Sequence, residues 1–120
     1  MARILTVDDS ATMRQMVSYT LSSAGHEVQE AASADEAIGI AQTQTFDLVI
    51  ADVNMPGKTG IELVALLRAM PAFQFTPILM LTTESNAELK QAGKVAGATG
   101  WIVKPFNPET LLSLLQRVLG

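Results

Sequence analysis

One hundred and twenty residues, 48% of them hydrophobic, suffice for a single core and are too few for two. A net charge of −4 argues against nucleic acid as a partner, because phosphate backbones need a basic surface. The chain has no cysteine, which removes disulfide, zinc–thiolate and redox chemistry and fits a reducing cytoplasm. No apolar run approaches the roughly 20 residues of a membrane span, and the N-terminus turns acidic at Asp8 before a signal-peptide core develops. The expectation is one cytoplasmic domain over residues 1–120, with no membrane or nucleic-acid partner and no linker or repeat.

The elements follow in chain order. Ile4–Val7 reads as a first strand. Met13, Met16, Val17, Thr20, Leu21 and Ala24 then share one helical stripe, with Gly25 as its C-terminal cap. A second strand, His26–Glu30, precedes Ser33 and Glu36, which have capping-box spacing at the head of a second helix. Leu48–Ala51 is the third strand, and Thr59 with Glu62 repeats the capping signal before a third helix. Ile78–Leu81 is the fourth strand, followed by Ser85 with Glu88 at the head of a helix over Asn86 to Ala96. That helix is weak: Leu89 and Val95 are its large apolar residues, and Gly93 inside it costs about 1 kcal/mol relative to Ala. Gly100–Val103 is the fifth strand, and Asn107-Pro108 opens a last helix with Pro in its first turn. Leu111, Leu112, Leu114, Leu115, Val118 and Leu119 give this helix a broad core face. Strict alternation predicts parallel strands, right-handed crossovers and helices on both faces, an open five-stranded α/β sandwich.

In such sheets chemistry collects beyond the carboxyl ends of the strands, where strand order reverses. Those ends carry Asp8-Asp9-Ser10, Asp52, Thr82-Thr83 and Lys104-Pro105, while the second strand ends in unreactive Ala31-Ala32. If strands one and three are neighbours, three carboxylates converge. Like charges a few ångströms apart repel by about 1 kcal/mol in water and several times more near a protein surface. Such a cluster persists if one member is protonated or a cation neutralises it. All-oxygen donors open to water suit Mg²⁺. With a lysine and an exposed carboxylate they form a phosphoryl-transfer constellation, in which cation and ammonium stabilise oxygens while the carboxylate attacks. Asp52 is the best nucleophile, because it ends the buried run Leu48-Val49-Ile50-Ala51 and opens onto a loop. Singly, each residue has a plainer explanation. Asp9 or Ser10 can cap a helix, Asp52 can be a turn residue, Thr82 and Thr83 suit a strand end, and Lys104 can be a solvated charge. Their conjunction at the reactive strand ends carries the argument.

Four segments, Val7-Asp8-Asp9-Ser10, Asp52-Val53-Asn54-Met55-Pro56-Gly57, Leu81-Thr82-Thr83-Glu84 and Val103-Lys104-Pro105-Phe106, carry a family likeness. From Arg3 to the final helix the chain resembles the receiver domains of response regulators, in particular the stand-alone chemotaxis type. The family is itself a standard illustration of the flavodoxin-like order 2-1-3-4-5, so that order is inherited from the likeness and not read from periodicity. The resemblance implies a single-domain regulator of a two-component system, with no enzymatic activity beyond its own phosphorylation and dephosphorylation. Asp52 takes a phosphoryl group from a CheA-like sensor histidine kinase. Mg²⁺ lies on Asp9, Asp52 and the Asn54 carbonyl, with Asp8 reaching it directly or through water. Lys104, Thr82, Thr83 and Asn54 hold the phosphoryl oxygens, and Lys104 and Thr82 assist catalysis. Thr82 and Trp101 form the switch toward an output face on the fourth helix, fifth strand and fifth helix. Asn54 and Glu84 tune hydrolytic water toward a short-lived phosphorylated state. The Lys104–Pro105 bond is expected to be cis. Implied partners are that kinase, a flagellar motor switch protein downstream and a phosphatase, acting on a monomer. The chain departs from the family at Trp101, where Tyr or Phe is usual, and at Thr83, where a small residue is common.

Other readings are weaker. A phosphorelay intermediate or phosphate sink shares the same chemistry. A phosphatase for small phosphoesters wants an acid two residues after the nucleophile, where this chain has Asn54. A flavin or nucleotide carrier needs a better phosphate cradle than Asp8-Asp9-Ser10-Ala11-Thr12, which has two negative charges and no glycine. A degenerate scaffold would lack reactive residues that are present here.

Overall fold

Leu48 and Ile50 of the third strand join one hydrophobic cluster, while Val49 and Ala51 between them join another. This is the period-two alternation of a strand buried on both faces, as a parallel sheet covered by helices requires. The computed structural model of the chain describes residues 1–83 and 87–119. Its elements are β1 (Arg3–Val7), α1 (Ala11–Ser23), β2 (Glu27–Ala31), α2 (Ala34–Ala41), β3 (Leu48–Asp52) and α3 (Gly60–Arg68). A 3₁₀ turn (Pro71–Phe73), β4 (Ile78–Thr82), α4 (Ala87–Ala96), β5 (Gly100–Val103) and α5 (Pro108–Leu119) complete them. The strands form one parallel sheet in the order β2-β1-β3-β4-β5. The expected fold and strand order hold.

One cluster lies under α2, α3 and α4, with Leu63, Val64, Leu67 and Phe73 at its centre; the other lies under α1 and α5, around Val17, Leu21, Leu111 and Leu115. Among the described residues no helix is long and apolar enough to cross a membrane.

The caps are those the residue types dictate. Ser10 and Ser33 accept N–H bonds from Met13 and Glu36, and Thr59 with Glu62 closes a full capping box. The Glu36 carboxylate reaches the N–H of Ala32 instead of that of Ser33, so the box at Ser33 stays open. Gly25, with φ of 92°, ends α1; its N–H donates to Ser22 and that of His26 to Leu21, a Schellman closure. Ser85, with the third capping-box signal, and Asn86 lie outside the described residues.

Two details of the α1 stripe differ from expectation. Met16 is 49% exposed and Ala24 is also exposed, so Val17 and Leu21 bury the helix with help from half-buried Met13. The helix faces the sheet with its Met13–Val17–Leu21 line, which leaves Met16 at the edge of the buried face. β2 begins and ends one residue later than expected, with Ala31 opposite Val7. The broad α5 face is used as core: Leu111 and Leu115 are buried, and Leu112, Leu114, Val118 and Leu119 pack around them.

Gly60, the first residue of α3, holds that helix against the end of β3. A Cβ there would overlap the Asp52 backbone carbonyl and come within 2.9 Å of Met80 Cε. Gly60→Ala is therefore expected to destabilise the domain by roughly 3 kcal/mol, the upper end of overpacking. A fall in the urea midpoint at unchanged m-value would register it.

Candidate functional site

The sheet register builds the site. Val7 pairs with Ala51 across β1 and β3, so the next residues, Asp8 and Asp52, emerge side by side where the strand order reverses. Asp8 is 2% exposed and Asp52 5%, whereas Asp9 is open to solvent. Each of the three offers a carboxylate oxygen within 4.8 Å of the others. On the next strands, Thr82 lies buried at the end of β4 and pairs with Val103, the residue before Lys104.

Lys104 enters the crevice with a largely buried side chain. Its Nζ lies 3.3 Å from Asp8 Oδ2 and 3.2 Å from Asp52 Oδ1. Its backbone N–H donates to the Thr82 carbonyl, and the Lys104–Pro105 peptide is cis, as expected. Asp8 Oδ1 accepts the N–H of Ser10 at 2.9 Å, and Asp52 Oδ1 accepts that of Asn54 at 3.4 Å.

Burial pushes the Asp52 carboxyl above its ordinary range, and the neighbouring Asp8 charge adds to the rise. The Lys104 ammonium and the Asn54 N–H pull the other way without cancelling it. Asp8, the more buried carboxylate, shares that same ammonium. One lysine thus serves the two buried acids. The donor set fits a divalent cation: oxygens only, two fixed by the protein and one on a solvent-facing residue, as Mg²⁺ favours.

The β3–α3 loop alternates as a strand does. Val53 and Met55 point into the core, and Asn54 points out. The loop closes through the Gly60 N–H to the Val53 carbonyl and through Gly57 at φ 76°. Asn54 is thereby held beside Asp52. Thr83 is exposed immediately after β4, and Glu84 lies outside the described residues. Trp101 is not in the crevice. It sits two positions before Val103, opposite Met80, and packs against the cluster under α4. Its Nε1 is buried with no hydrogen-bond partner among the described residues, at a cost of roughly 1–3 kcal/mol, so packing holds the ring.

One supporting residue escaped the sequence. Arg14 donates from Nη1 to the Asp8 backbone carbonyl at 2.7 Å and pairs through Nε with Glu30 at 3.0 Å. It ties the first turn of α1 to the strand tip that carries Asp8. The signal available was a basic residue four positions after Ser10, which helical spacing alone does not set apart.

Strand order, register and acidic crevice are those expected of a receiver domain. The chain belongs to the response regulator receiver domain family, whose model matches residues 4–116. It is 42% identical over 121 residues to a chemotaxis protein CheY homolog of Campylobacter jejuni, covering 98% of this chain and 92% of that protein. Identity to chemotaxis protein CheY-3 of Vibrio cholerae is 38% over 117 residues, covering 97% and 90%. The solved structure of Vibrio cholerae CheY4 matches with a TM-score of 0.95 at 60% identity over 98% of each chain. The chain is a receiver domain of the CheY type.

Because the folded state raises the Asp52 pKa, its ionised form costs stability. That cost is present in full above the folded-state value and fades as pH falls through it toward 3.8, the ordinary carboxyl value. Without divalent cations, Asp52→Asn is expected to stabilise the domain at pH 7 by about 1 kcal/mol, with a smaller gain near pH 4. Urea titrations at the two pH values measure it.

Proposed function

We propose that the chain is a single-domain chemotaxis regulator whose Asp52 accepts a phosphoryl group from the phosphohistidine of a CheA-like sensor kinase in the cytoplasm. One observation carries the reading: the buried Asp52 carboxylate shares its crevice with Asp8, Asp9 and the Lys104 ammonium, in a chain of CheY type. Asp8, Asp9, Asp52 and the Asn54 carbonyl would hold Mg²⁺. When bound, the ion supplies the charge that makes three acids compatible and draws density from the phosphoryl oxygens.

Asp52 attacks phosphorus; its new O–P bond forms as the P–N bond to the kinase imidazole breaks, and the imidazole leaves with a proton from solvent. Lys104 already touches an Asp52 oxygen and is positioned to follow charge onto the transferred group. Thr82 and the Thr83 N–H face the same strand ends and supply donors to the new oxygens. Asn54 and Glu84 govern the approach of the water that reverses the modification. The phosphorylated state then alters the face formed by α4, β5 and α5, to which a flagellar motor switch protein binds. A dedicated phosphatase is a further partner.

Trp101 is the chain's only tryptophan, so its fluorescence reports on the output face. Mg²⁺ alone is expected to perturb it modestly, and beryllofluoride or acetyl phosphate to perturb it further. Asp52→Asn should abolish the second change. Lys104→Ala should keep metal binding and lose the coupling between modification and emission. A full second response in Asp52→Asn would refute the assignment of the phosphoacceptor.

A further inference from the structure

Gly93 is the buried residue of the ten-residue helix α4. A glycine inside a helix is a liability, since Ala there raises the folded-to-unfolded ratio about fivefold. Backbone conformation does not demand it: Gly25, Gly57 and Gly97 have positive φ, and Gly93 does not. The demand comes from β5. A Cβ on Gly93 would stand 2.7 Å from Cζ3 of Trp101, with Cε3 and Cη2 at 3.6 and 3.7 Å. The six-membered ring of the indole therefore occupies the space a side chain would take.

The ring is held from two further directions. Its backbone is fixed in the ladder opposite Met80, and its flank packs against the core under α4. No hydrogen bond from Nε1 to a described residue anchors it. We infer that Gly93 is a positioning residue for Trp101, a socket that interlocks α4 with β5 so that the ring and the helix can only move together. A cleft of about 210 Å³ beside the indole, lined by Lys90, Lys94, Ala98, Thr99, Gly100 and Trp101, is the space into which a displaced ring turns. The inference goes beyond the proposed function, because the interlock exists in the unmodified protein whatever Asp52 does.

A double-mutant cycle tests it, with stability read by circular dichroism in urea for the wild type, Gly93→Ala, Trp101→Ala and the double variant. In the Trp101→Ala background, Gly93→Ala should raise the folded-to-unfolded ratio about fivefold. In the wild-type background it should leave that ratio unchanged or lower it. Folded Gly93→Ala should also emit further to the red and be quenched more readily by acrylamide. If Trp101→Ala does not fold, Trp101→Leu takes its place in the cycle. An equal gain in both backgrounds overturns the inference, and so does emission identical to the wild type. None of these measurements requires phosphorylation, so the interlock and the proposed function fail separately.

Discussion

Everything at the working end of this domain depends on one electrostatic imbalance: three carboxylates against a single ammonium. The imbalance is built by the sheet. Chain order carries β2 to the outside of β1 and β3 to the inside, and the Val7–Ala51 pairing then delivers Asp8 and Asp52 to one crevice. Neither acid can retreat into water, because each is itself buried at the end of an interior strand. Lys104 relieves part of the strain by reaching both, yet burial and Asp8 still lift the Asp52 pKa. The crevice is left short of positive charge, so a bound cation would lower its energy directly.

That sensitivity is useful only if the surroundings hold still. β3 and β4 are buried along their whole lengths, and close-packed interiors resist small displacements. Gly60 lets α3 start directly against the Asp52 carbonyl, Met55 plugs the following loop into the core, and Arg14 braces the Asp8 backbone. The acids are therefore presented by rigid elements, the arrangement that gives a reactive group a defined direction of attack.

The fold was largely legible because each of its signals is local. Alternating periods, Ser10, Ser33 and Thr59 at helix starts, and Gly25 at a helix end act within a few residues. The site was legible for a related reason: in a parallel sheet, the residue after each strand is already known to face one edge. Strand order was a different matter, since nothing in the periodicity distinguishes β1 beside β3 from other arrangements, and it came with the family likeness. The misassigned details were those decided by distant neighbours. Met16 shares the spacing of the core stripe but falls at its rim, and Arg14 looks like any solvated helix charge until Glu30 and the Asp8 carbonyl are seen beside it. Gly93 is the clearest instance. As sequence it is only a weakness in a helix; its reason lies eight residues further on, in the ring of Trp101.

α4 is held firmly at its C-terminal end, by bonds that the sequence does not announce. At the C-terminal end, Arg68 donates from Nε to the Gly97 carbonyl at 3.0 Å and from Nη1 to the carbonyls of Phe73 and Thr76 at 2.6 Å each. Burial lowers the pKa of that guanidinium, so its bonds to neutral carbonyls form where water competes poorly. Thr99 completes the knot by accepting the Ile78 N–H while its own N–H donates to the Ile78 carbonyl. Toward the other end, Ala87 and Glu88 are exposed and Leu89 alone packs on the core. Midway, Gly93 sits on the indole. The helix is thus tied at its C-terminal end by Arg68 and seated at its middle on the indole. Under the proposed function, coupling from Asp52 to the surface would need no long chain of side-chain movements, because the interlock of Gly93 with Trp101 carries a shift of α4 into β5.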